Sequence, residues 1–241
     1  MIMRQRIRKA LVIIALLLFP ITLNFFSPYV PIDGAMSGII SGSLLLFIFM
    51  FVTAIFFRRA WCSWVCPMAC LSEMCLGVNN KNVNVKRLKM IRYSIFVVWA
   101  GFVIALFIIA GGIKGVDPLR LTSHGISVDS PSKYIIYYFV LALFFIITIL
   151  VGKRGACHSI CWMSPFLVGG STIGQWLKIP QLRIKADPSR CVECGACNKK
   201  CPMSINVSSS LKDGSIETSD CILCGECVDN CKKKVLWYGI K

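Results

Sequence analysis

Histidine is nearly absent from this sequence, which has only His124 and His158 among its 241 residues. A predicted helix of about twenty residues, roughly 30 Å long at 1.5 Å per residue, separates the two side chains. They are therefore too far apart to ligate one haem from opposite faces. The C-x-x-C-H motif that attaches c-type haem is also missing. These absences exclude a haem protein of either type, and no flavin motif is visible.

Charged residues and histidine are missing from four long apolar blocks. The blocks cover residues 10–26, 38–57, 93–113 and 134–151. Each is close to the roughly 20 residues that a helix needs to cross a membrane. The sequence therefore predicts four transmembrane helices. The first is expected to be an uncleaved span, because no convincing signal-peptide cleavage site follows it.

Acidic residues are scarce, with 11 Asp and Glu against 27 Lys and Arg and a formal net charge of +16. Such a charge suits either nucleic acid or a membrane surface. Within residues 1–180, fourteen of the seventeen basic side chains lie before the first block, after the second or after the fourth. The positive-inside rule then places both termini in the cytoplasm. We expect a multi-pass protein of the inner (cytoplasmic) membrane that contacts lipid and does not bind nucleic acid.

Cysteine is abundant, with fourteen residues, and none lies in a predicted external loop. The cytosol is reducing, so these thiols are expected to be metal or redox ligands rather than disulfides. Eight of them form two C-x2-C-x2-C-x3-C runs, the signature of a bacterial two-cluster ferredoxin. The fourth cysteine of each run ligates the other cluster in such proteins.

This crossing rule assigns the ligands of two [4Fe-4S] clusters. The first cluster is expected to use Cys191, Cys194, Cys197 and Cys231. The second is expected to use Cys221, Cys224, Cys227 and Cys201. Gly195 and Gly225 occupy equivalent positions in the two runs, but Lys232 stands where the first run has Pro202.

A second repeat relates the loops that follow the second and fourth apolar blocks. Residues 58–68 align with residues 153–163 at a constant offset of 95, and each copy has a basic pair followed by C-x3-C. Each unit is thus a helical hairpin with a cysteine loop at its cytoplasmic end, which predicts a parallel repeat. The four loop cysteines are Cys62, Cys66, Cys157 and Cys161.

Three roles remain open for these four cysteines. They converge on a metal ion or a further cluster, or each pair acts as a dithiol, since residues i and i+4 share a helix face. The third role is structural, as small apolar side chains at helix ends. Cys70 and Cys75 have no counterparts in the second loop and are expected in the core or an interface.

The complete layout resembles the NapH-type quinol dehydrogenase membrane subunits of periplasmic nitrate reduction and the MauN proteins of methylamine utilisation. The residues that carry the resemblance are Cys62, Cys66, Pro67 and the eight C-terminal cysteines; Trp162 departs from it where the family has a proline. The wider group of NosR-type and CcoG-type membrane proteins also carries C-x3-C-P loops. The resemblance implies a quinone or quinol carrier and a second redox partner, which is a cytochrome, ferredoxin or flavoprotein.

The predicted fold is an α-helical membrane protein, built from two parallel-repeat hairpins with four transmembrane helices, plus a small α+β ferredoxin domain. Residues 1–165 would form the membrane domain, residues 166–180 an interfacial linker and residues 181–241 the two-cluster domain. His158, between Cys157 and Cys161, is the candidate catalytic residue that takes a quinol proton or hydrogen-bonds a quinone carbonyl.

Two functions follow from this layout. The favoured one is a relay of electrons between the quinone pool and a partner redox protein, as an electron-transfer subunit of a quinol dehydrogenase. The alternative is an assembly or regulatory protein in which the loop cysteines handle a metal such as copper.

Overall fold

The computed structural model describes residues 3–240 and is mainly helical. The helices are α1 (Met3–Leu17), α2 (Phe19–Phe26), α3 (Tyr29–Met36), α4 (Gly42–Phe57), α5 (Trp61–Trp64), α6 (Pro67–Met74), α7 (Val85–Ile109), α8 (Pro131–Val151), α9 (Gly155–Ser159), α10 (Ser164–Trp176), α11 (Ala196–Lys200) and α12 (Glu226–Asp229). The strands are β1 (Ile39–Ser41), β2 (Gly115–Asp117), β3 (Leu182–Ala186) and β4 (Leu236–Ile240). Short 3-10 turns cover Cys75–Gly77, Pro188–Arg190 and Ser209–Asp213.

The third and fourth apolar blocks form helices long enough to cross a membrane. Helix α7 has 25 residues with a mean hydropathy of 2.1, and α8 has 21 residues with a mean hydropathy of 2.7. Both expose many large apolar side chains, including Val98 and Ile135, as lipid-facing helices do. These two predicted spans are confirmed, although α7 begins eight residues before the apolar block, in the basic linker at Val85.

The first apolar block differs from the straight span that was predicted. It is divided at Leu18 into α1 and α2, whose axes are bent by 83°. Pro20 explains the break, because proline lacks a backbone N–H and its ring clashes with the carbonyl group four residues earlier. Together the two helices are long and apolar enough to form one broken span. Because of the bend, the axis of α2 is nearly perpendicular to that of α1.

The second apolar block gives a shorter helix than predicted. Its first residues enter β1, which pairs in parallel with β2, and α4 retains 16 residues. Helix α10, in the predicted interfacial linker, packs along α4 at close range. A Cβ atom at Gly170 would meet the Phe51 carbonyl oxygen at 2.1 Å, so only glycine permits this approach. With α7, α8 and the bent pair, two or three helices are candidate spans by length, and four are not confirmed.

The C-terminal domain docks on one end of the helices. The side chain of Gln5 in α1 donates to the Cys224 carbonyl oxygen at 2.9 Å, and Lys153, after α8, donates to the Lys199 carbonyl oxygen at 3.0 Å. The opposite end holds the connections between α2 and α4 and between α7 and α8, which are joined by Arg120 and Asp33. The loops with the C-x3-C motifs therefore face the C-terminal domain.

The two cysteine runs of this domain fold alike. Gly195 and Gly225 both adopt a left-handed conformation, with φ of 69° and 76°, and each begins a short helix. Three residues after the last cysteine of each run, Ser204 and Lys234 also share a positive φ, 54° and 51°. Lys232 in place of Pro202 therefore leaves the local backbone unchanged. Antiparallel pairing of β3 with β4 closes the domain.

Candidate functional site

The first predicted ligand set lies near the surface of the C-terminal domain. The thiols of Cys191, Cys194, Cys197 and Cys231 line one cavity of 150 Å³. Cys194 is exposed, whereas the other three side chains are partly buried. Exposed lysines, among them Lys232 and Lys233, border this cavity.

The second predicted ligand set is buried against the membrane half. Cys201, Cys221, Cys224 and Cys227 line one cavity of 20 Å³ together with isoleucine, valine and methionine side chains. Burial raises the pKa of the Cys224 thiol to about 11, and backbone N–H groups of Glu226 and Leu223 donate toward Cys224 and Cys221. Such N–H groups and a set of four thiols suit an anionic iron–sulfur cluster. Each cavity is thus lined by one of the two sets of four cysteines that the crossing rule assigns, and ligation of the clusters stays a prediction.

The four loop cysteines also come together. Cys62, Cys66, Cys157 and Cys161 line a second enclosed cavity of 20 Å³, here called the loop-thiol cavity. Its other walls include Arg59, Met68 and Met163. All four cysteines are free thiols. Two loops that are far apart in the sequence thus contribute to one site.

Electrostatic surroundings of the loop thiols resemble those of the buried ferredoxin set. Burial and the neighbouring thiols raise the pKa of Cys66 well above its usual range and the pKa of Cys161 to about 12. Backbone N–H groups of Met68 and Ser164 donate toward Cys66 and Cys161, respectively, and partly offset this effect. Metal ligation needs the thiolate form, so a bound cation or cluster would favour deprotonation of these thiols.

Five fully buried arginines surround this region. From the sequence alone, these residues were interpreted only as indicators of membrane topology. They are Arg8, Arg58, Arg59, Arg92 and Arg154. Arg58 donates to the backbone carbonyl groups of Ile216, Glu217 and Thr218 in the C-terminal domain. Buried arginine needs a partner of opposite charge or a full set of acceptors. The basic pairs of the repeat are therefore docking residues.

Three carboxylates pair with these arginines, those of Glu73, Asp220 and Glu226. Glu73 lies 2.5 Å from Arg8 and 2.7 Å from Arg154. Burial opposes its ionisation, but Arg154 and Arg8 outweigh that effect and lower the pKa of the Glu73 carboxyl. Asp220 is shared by Arg59 and Arg92 at 3.3 and 3.6 Å. Five guanidinium groups and three carboxylates leave an excess of positive charge.

His158 is fully buried beside this charge cluster. Burial, reinforced by the positive charge of Arg59, lowers its pKa to about 3. Neither ring nitrogen has a hydrogen-bond partner within the described residues. His158 lines neither the loop-thiol cavity nor the larger cavity between the membrane helices. The structure therefore places its ring in neither of these spaces.

A much larger cavity of 640 Å³ lies between the membrane helices, and we call it the membrane cavity. It extends along α8 from Lys133 to Phe144, roughly 16 Å at 1.5 Å per residue. Its volume falls within the range of about 300–1,000 Å³ that is typical of small-molecule sites. Polar groups such as Asn24 and Thr122 lie toward one end, and the remaining lining is mostly apolar.

The membrane cavity and the loop-thiol cavity share a wall. Four side chains line both, namely Phe26, Met68, Phe144 and Met163. One layer of side chains therefore separates the two spaces. The 83° bend between α1 and α2 creates this arrangement, because α2 supplies Phe19, Leu23 and Phe26 to the membrane cavity.

Comparison with known proteins identifies two iron–sulfur regions. Residues 190–236 match a 4Fe-4S dicluster domain, and residues 41–85 match a 4Fe-4S binding domain that contains Cys62 and Cys66. No solved structure matches the chain.

Three curated relatives cover most of this chain. The putative electron transport protein YccM of Escherichia coli is 23% identical over 84% of this chain and 57% of its own length. The methylamine utilisation ferredoxin-type protein MauN of Methylorubrum extorquens is 27% identical over 77% of this chain and 63% of its own. The ferredoxin-type protein NapH of Haemophilus influenzae is 25% identical over 78% and 64%. The chain thus spans less than two thirds of each of these relatives.

The apolar helices, the paired cysteine runs and the two matched domains define an iron–sulfur electron-transfer protein of a membrane. Within that class, the chain is similar to the ferredoxin-type proteins NapH and MauN and to the putative electron transport protein YccM.

Proposed function

We propose that this protein transfers electrons between a lipid-soluble quinone and a partner redox protein. The observation that carries the proposal is the wall shared by the membrane cavity and the loop-thiol cavity, because it brings a ligand-sized apolar space next to the cysteine-rich half. The NapH and MauN relatives add support by their ferredoxin-type character.

Two [4Fe-4S] clusters would be held as the crossing rule assigns them. Cys191, Cys194, Cys197 and Cys231 hold the cluster nearer the surface, and Cys201, Cys221, Cys224 and Cys227 hold the cluster nearer the membrane half. Each bound cluster accepts or donates one electron at a potential set by its surroundings. The partner would meet the exposed Cys194 side of the domain.

The membrane cavity would bind the quinone ring. Oxidation of a quinol releases two electrons and two protons: the electrons pass to the partner, and the protons pass to water. Asn24, Thr122 and Ser123 lie at the end of the cavity that is away from the cysteines and provide polar surroundings for proton exit. The same chemistry in reverse would reduce a quinone. Apolar side chains at the other end exclude water beside the shared wall.

Topology completes the proposal. Four membrane passes, counting the bent pair and α4, would place the C-terminal domain and both C-x3-C loops on the same side. The docking contacts of Arg58 and Lys153 require that arrangement, and the positive-inside bias assigns this side to the cytoplasm of a cell with an inner membrane.

A cavity-filling variant tests the quinone site. In Val140→Trp, the indole would occupy the membrane cavity, whereas Ile135→Trp on the same helix places an indole on the 73% exposed lipid-facing surface. Full-length protein is purified anaerobically, reduced with dithionite and mixed with a short-chain quinone in a stopped-flow spectrometer. We expect reoxidation of the iron–sulfur absorbance to slow at least about tenfold in Val140→Trp, since a filled pocket cannot hold the ring.

Iron content must be equal in both variants for the comparison to hold. Equal reoxidation rates in Val140→Trp, Ile135→Trp and the unmodified protein would show that the quinone reacts elsewhere, and would overturn the assignment of the membrane cavity.

A further inference from the structure

We propose that Cys62, Cys66, Cys157 and Cys161 hold a third four-iron cluster, located between the membrane cavity and the ferredoxin domain. This inference concerns a cofactor site and does not depend on whether the membrane ligand is a quinone. It rests on the size of the loop-thiol cavity, its hydrogen-bond donors and the charge around it.

Packing distinguishes this site from a group of structural cysteines. Protein interiors are close-packed, and small side chains without a ligand collapse against their neighbours. The four loop thiols instead surround an enclosed cavity, although Cys161 is buried and the other three are partly buried. A space lined by four free thiols from two separate loops indicates a bound group.

The ferredoxin domain provides an internal standard for the size of that group. The loop-thiol cavity and the cavity of Cys201, Cys221, Cys224 and Cys227 both measure 20 Å³. Within residues 3–240, no group of three or more His, Cys, Asp or Glu side chains is close enough to hold one metal ion. A tetrahedral zinc site would need Zn–S distances of about 2.3 Å, and hence tightly clustered thiols. Equal cavity volumes and four lining thiols in both sets suit the same kind of cluster.

Hydrogen-bond donors repeat the ferredoxin pattern. In the loop site, Arg59 Nη2 lies 4.0 Å from Cys62 Sγ and Ser72 Oγ lies 3.6 Å from Cys157 Sγ. In the ferredoxin domain, the N–H groups of Glu193 and Val235 donate to the Sγ atoms of Cys191 and Cys231 at 3.4 Å. N–H donors to ligating sulfurs stabilise the anionic form of an iron–sulfur cluster and tune its potential. The loop site therefore has the same chemical preference as the ferredoxin site.

Positive charge at equivalent positions of the repeat supports an anionic occupant. Arg59 lines the loop-thiol cavity, and its Nη2 lies 4.0 Å from Cys62 Sγ. Arg154, its counterpart at an offset of 95, donates to the Cys62 carbonyl oxygen at 2.7 Å. The three carboxylates of Glu73, Asp220 and Glu226 are too few to balance five buried arginines in this interface. Four thiolates around a cluster supply the missing negative charge.

The location of the third cluster, between the membrane cavity and the ferredoxin domain, indicates its role in electron transfer. Cys62 packs against the core of the ferredoxin domain, which includes Cys221, Cys224 and Cys227. On its other side, the loop-thiol cavity shares its wall with the membrane cavity. The site thus fills the gap between the membrane ligand and the nearer ferredoxin cluster, where the sequence places no other group of four cysteines.

Metal and sulfide analysis of the full-length protein, purified anaerobically, tests the inference without any activity measurement. We expect about twelve iron atoms and about twelve acid-labile sulfides per chain, against about eight for a two-cluster protein. Cys161→Ser should lower both counts by about four. Cys70→Ser is the matched control, because Cys70 is equally buried in the first loop region but lies outside the loop-thiol cavity.

The measured iron content distinguishes between the possible ligand assignments of the cysteines. About eight iron atoms in the unmodified protein would overturn the third cluster, and one zinc or copper ion per chain in addition would favour the metal-assembly function. About four iron atoms would instead mean that the ferredoxin ligand sets are wrong. Twelve iron atoms that persist in Cys161→Ser would also overturn the site. Electron paramagnetic resonance of the two remaining reduced clusters in Cys161→Ser shows whether the variant is folded.

Discussion

The guanidinium group of Arg59 lies 3.3 Å from the carboxylate of Asp220, and this ion pair joins the first cysteine loop to the ferredoxin domain. Asp220 directly precedes Cys221, a predicted ligand of the second cluster. Arg59 also lines the loop-thiol cavity. The buried positive charge of Arg59 therefore lies beside two predicted cofactor sites, the loop-thiol cavity and the second ferredoxin cluster.

Removal of that charge should lower a reduction potential. We expect Arg59→Gln to lower the potential of the nearest cluster by roughly 50–100 mV, because one charge at about 8 Å and an effective dielectric constant of about 20 is equivalent to about 2 kcal/mol. Asp220 keeps Arg92 as a partner in this variant. Redox titration followed by electron paramagnetic resonance measures the change. The control is Lys178→Gln, at an exposed position; equal potentials in the two variants would contradict the electrostatic role.

Glu73 should be important for stability. Its carboxylate pairs with two fully buried arginines, Arg8 and Arg154, so Glu73→Gln removes the carboxylate partner of Arg154 and leaves Arg8 with Glu226 alone. Loss of one member of a buried pair costs about 3–5 kcal/mol. For a chain of this size, we expect the temperature at which the iron–sulfur absorbance is lost to fall by roughly 10 °C.

Asp213→Asn provides the comparison for this thermal measurement, since Asp213 is an exposed carboxylate of the C-terminal domain. A Glu73→Gln protein as stable as the Asp213→Asn protein would mean that the Glu73 ion pairs do not stabilise the protein.

Lysines beside the outer cysteine set should select the charge of a redox partner. Lys232 and Lys233 are exposed and border the cavity of Cys191, Cys194, Cys197 and Cys231. Complementary charge accelerates encounter by about 10-fold or more at low ionic strength. In Lys232→Glu/Lys233→Glu protein, we expect oxidation by the anion hexacyanoferrate(III) to slow about tenfold and oxidation by a cationic ruthenium hexaammine complex to accelerate.

The matched control reverses two exposed lysines distant from this cavity, Lys86 and Lys178. If both double variants respond alike to the two oxidants, then net charge alone explains the rates and the partner does not dock beside Cys194. High salt should remove the difference in either case, since surface charges are screened beyond about 10 Å at 0.1 M ionic strength.

Several predictions from the sequence concern features that depend on local spacing. Cysteines separated by two or three residues in the C-x2-C-x2-C-x3-C runs determine a compact turn, and the two runs share positive φ angles at equivalent positions in spite of Lys232. The third and fourth apolar blocks form membrane-length helices because nothing within them interrupts the hydrogen-bond ladder. The basic pairs were interpreted only as topology signals, since burial of a charged residue cannot be seen without its partner.

The sequence by itself determined the chemistry of this protein: eight cysteines in a doubled ferredoxin spacing, four more in a parallel repeat, and apolar blocks that need a membrane. The tertiary structure determined which of these cysteines, charged residues and helices contact one another. The convergence of Cys62 with Cys161, the choice of which ferredoxin set lies toward the membrane half, and the burial of Arg59 all depend on contacts between residues far apart in the chain. Pro20 was visible in the sequence as a helix breaker, but the direction of the bend, and the membrane cavity that it creates, result from how α2 packs against α4 and α8.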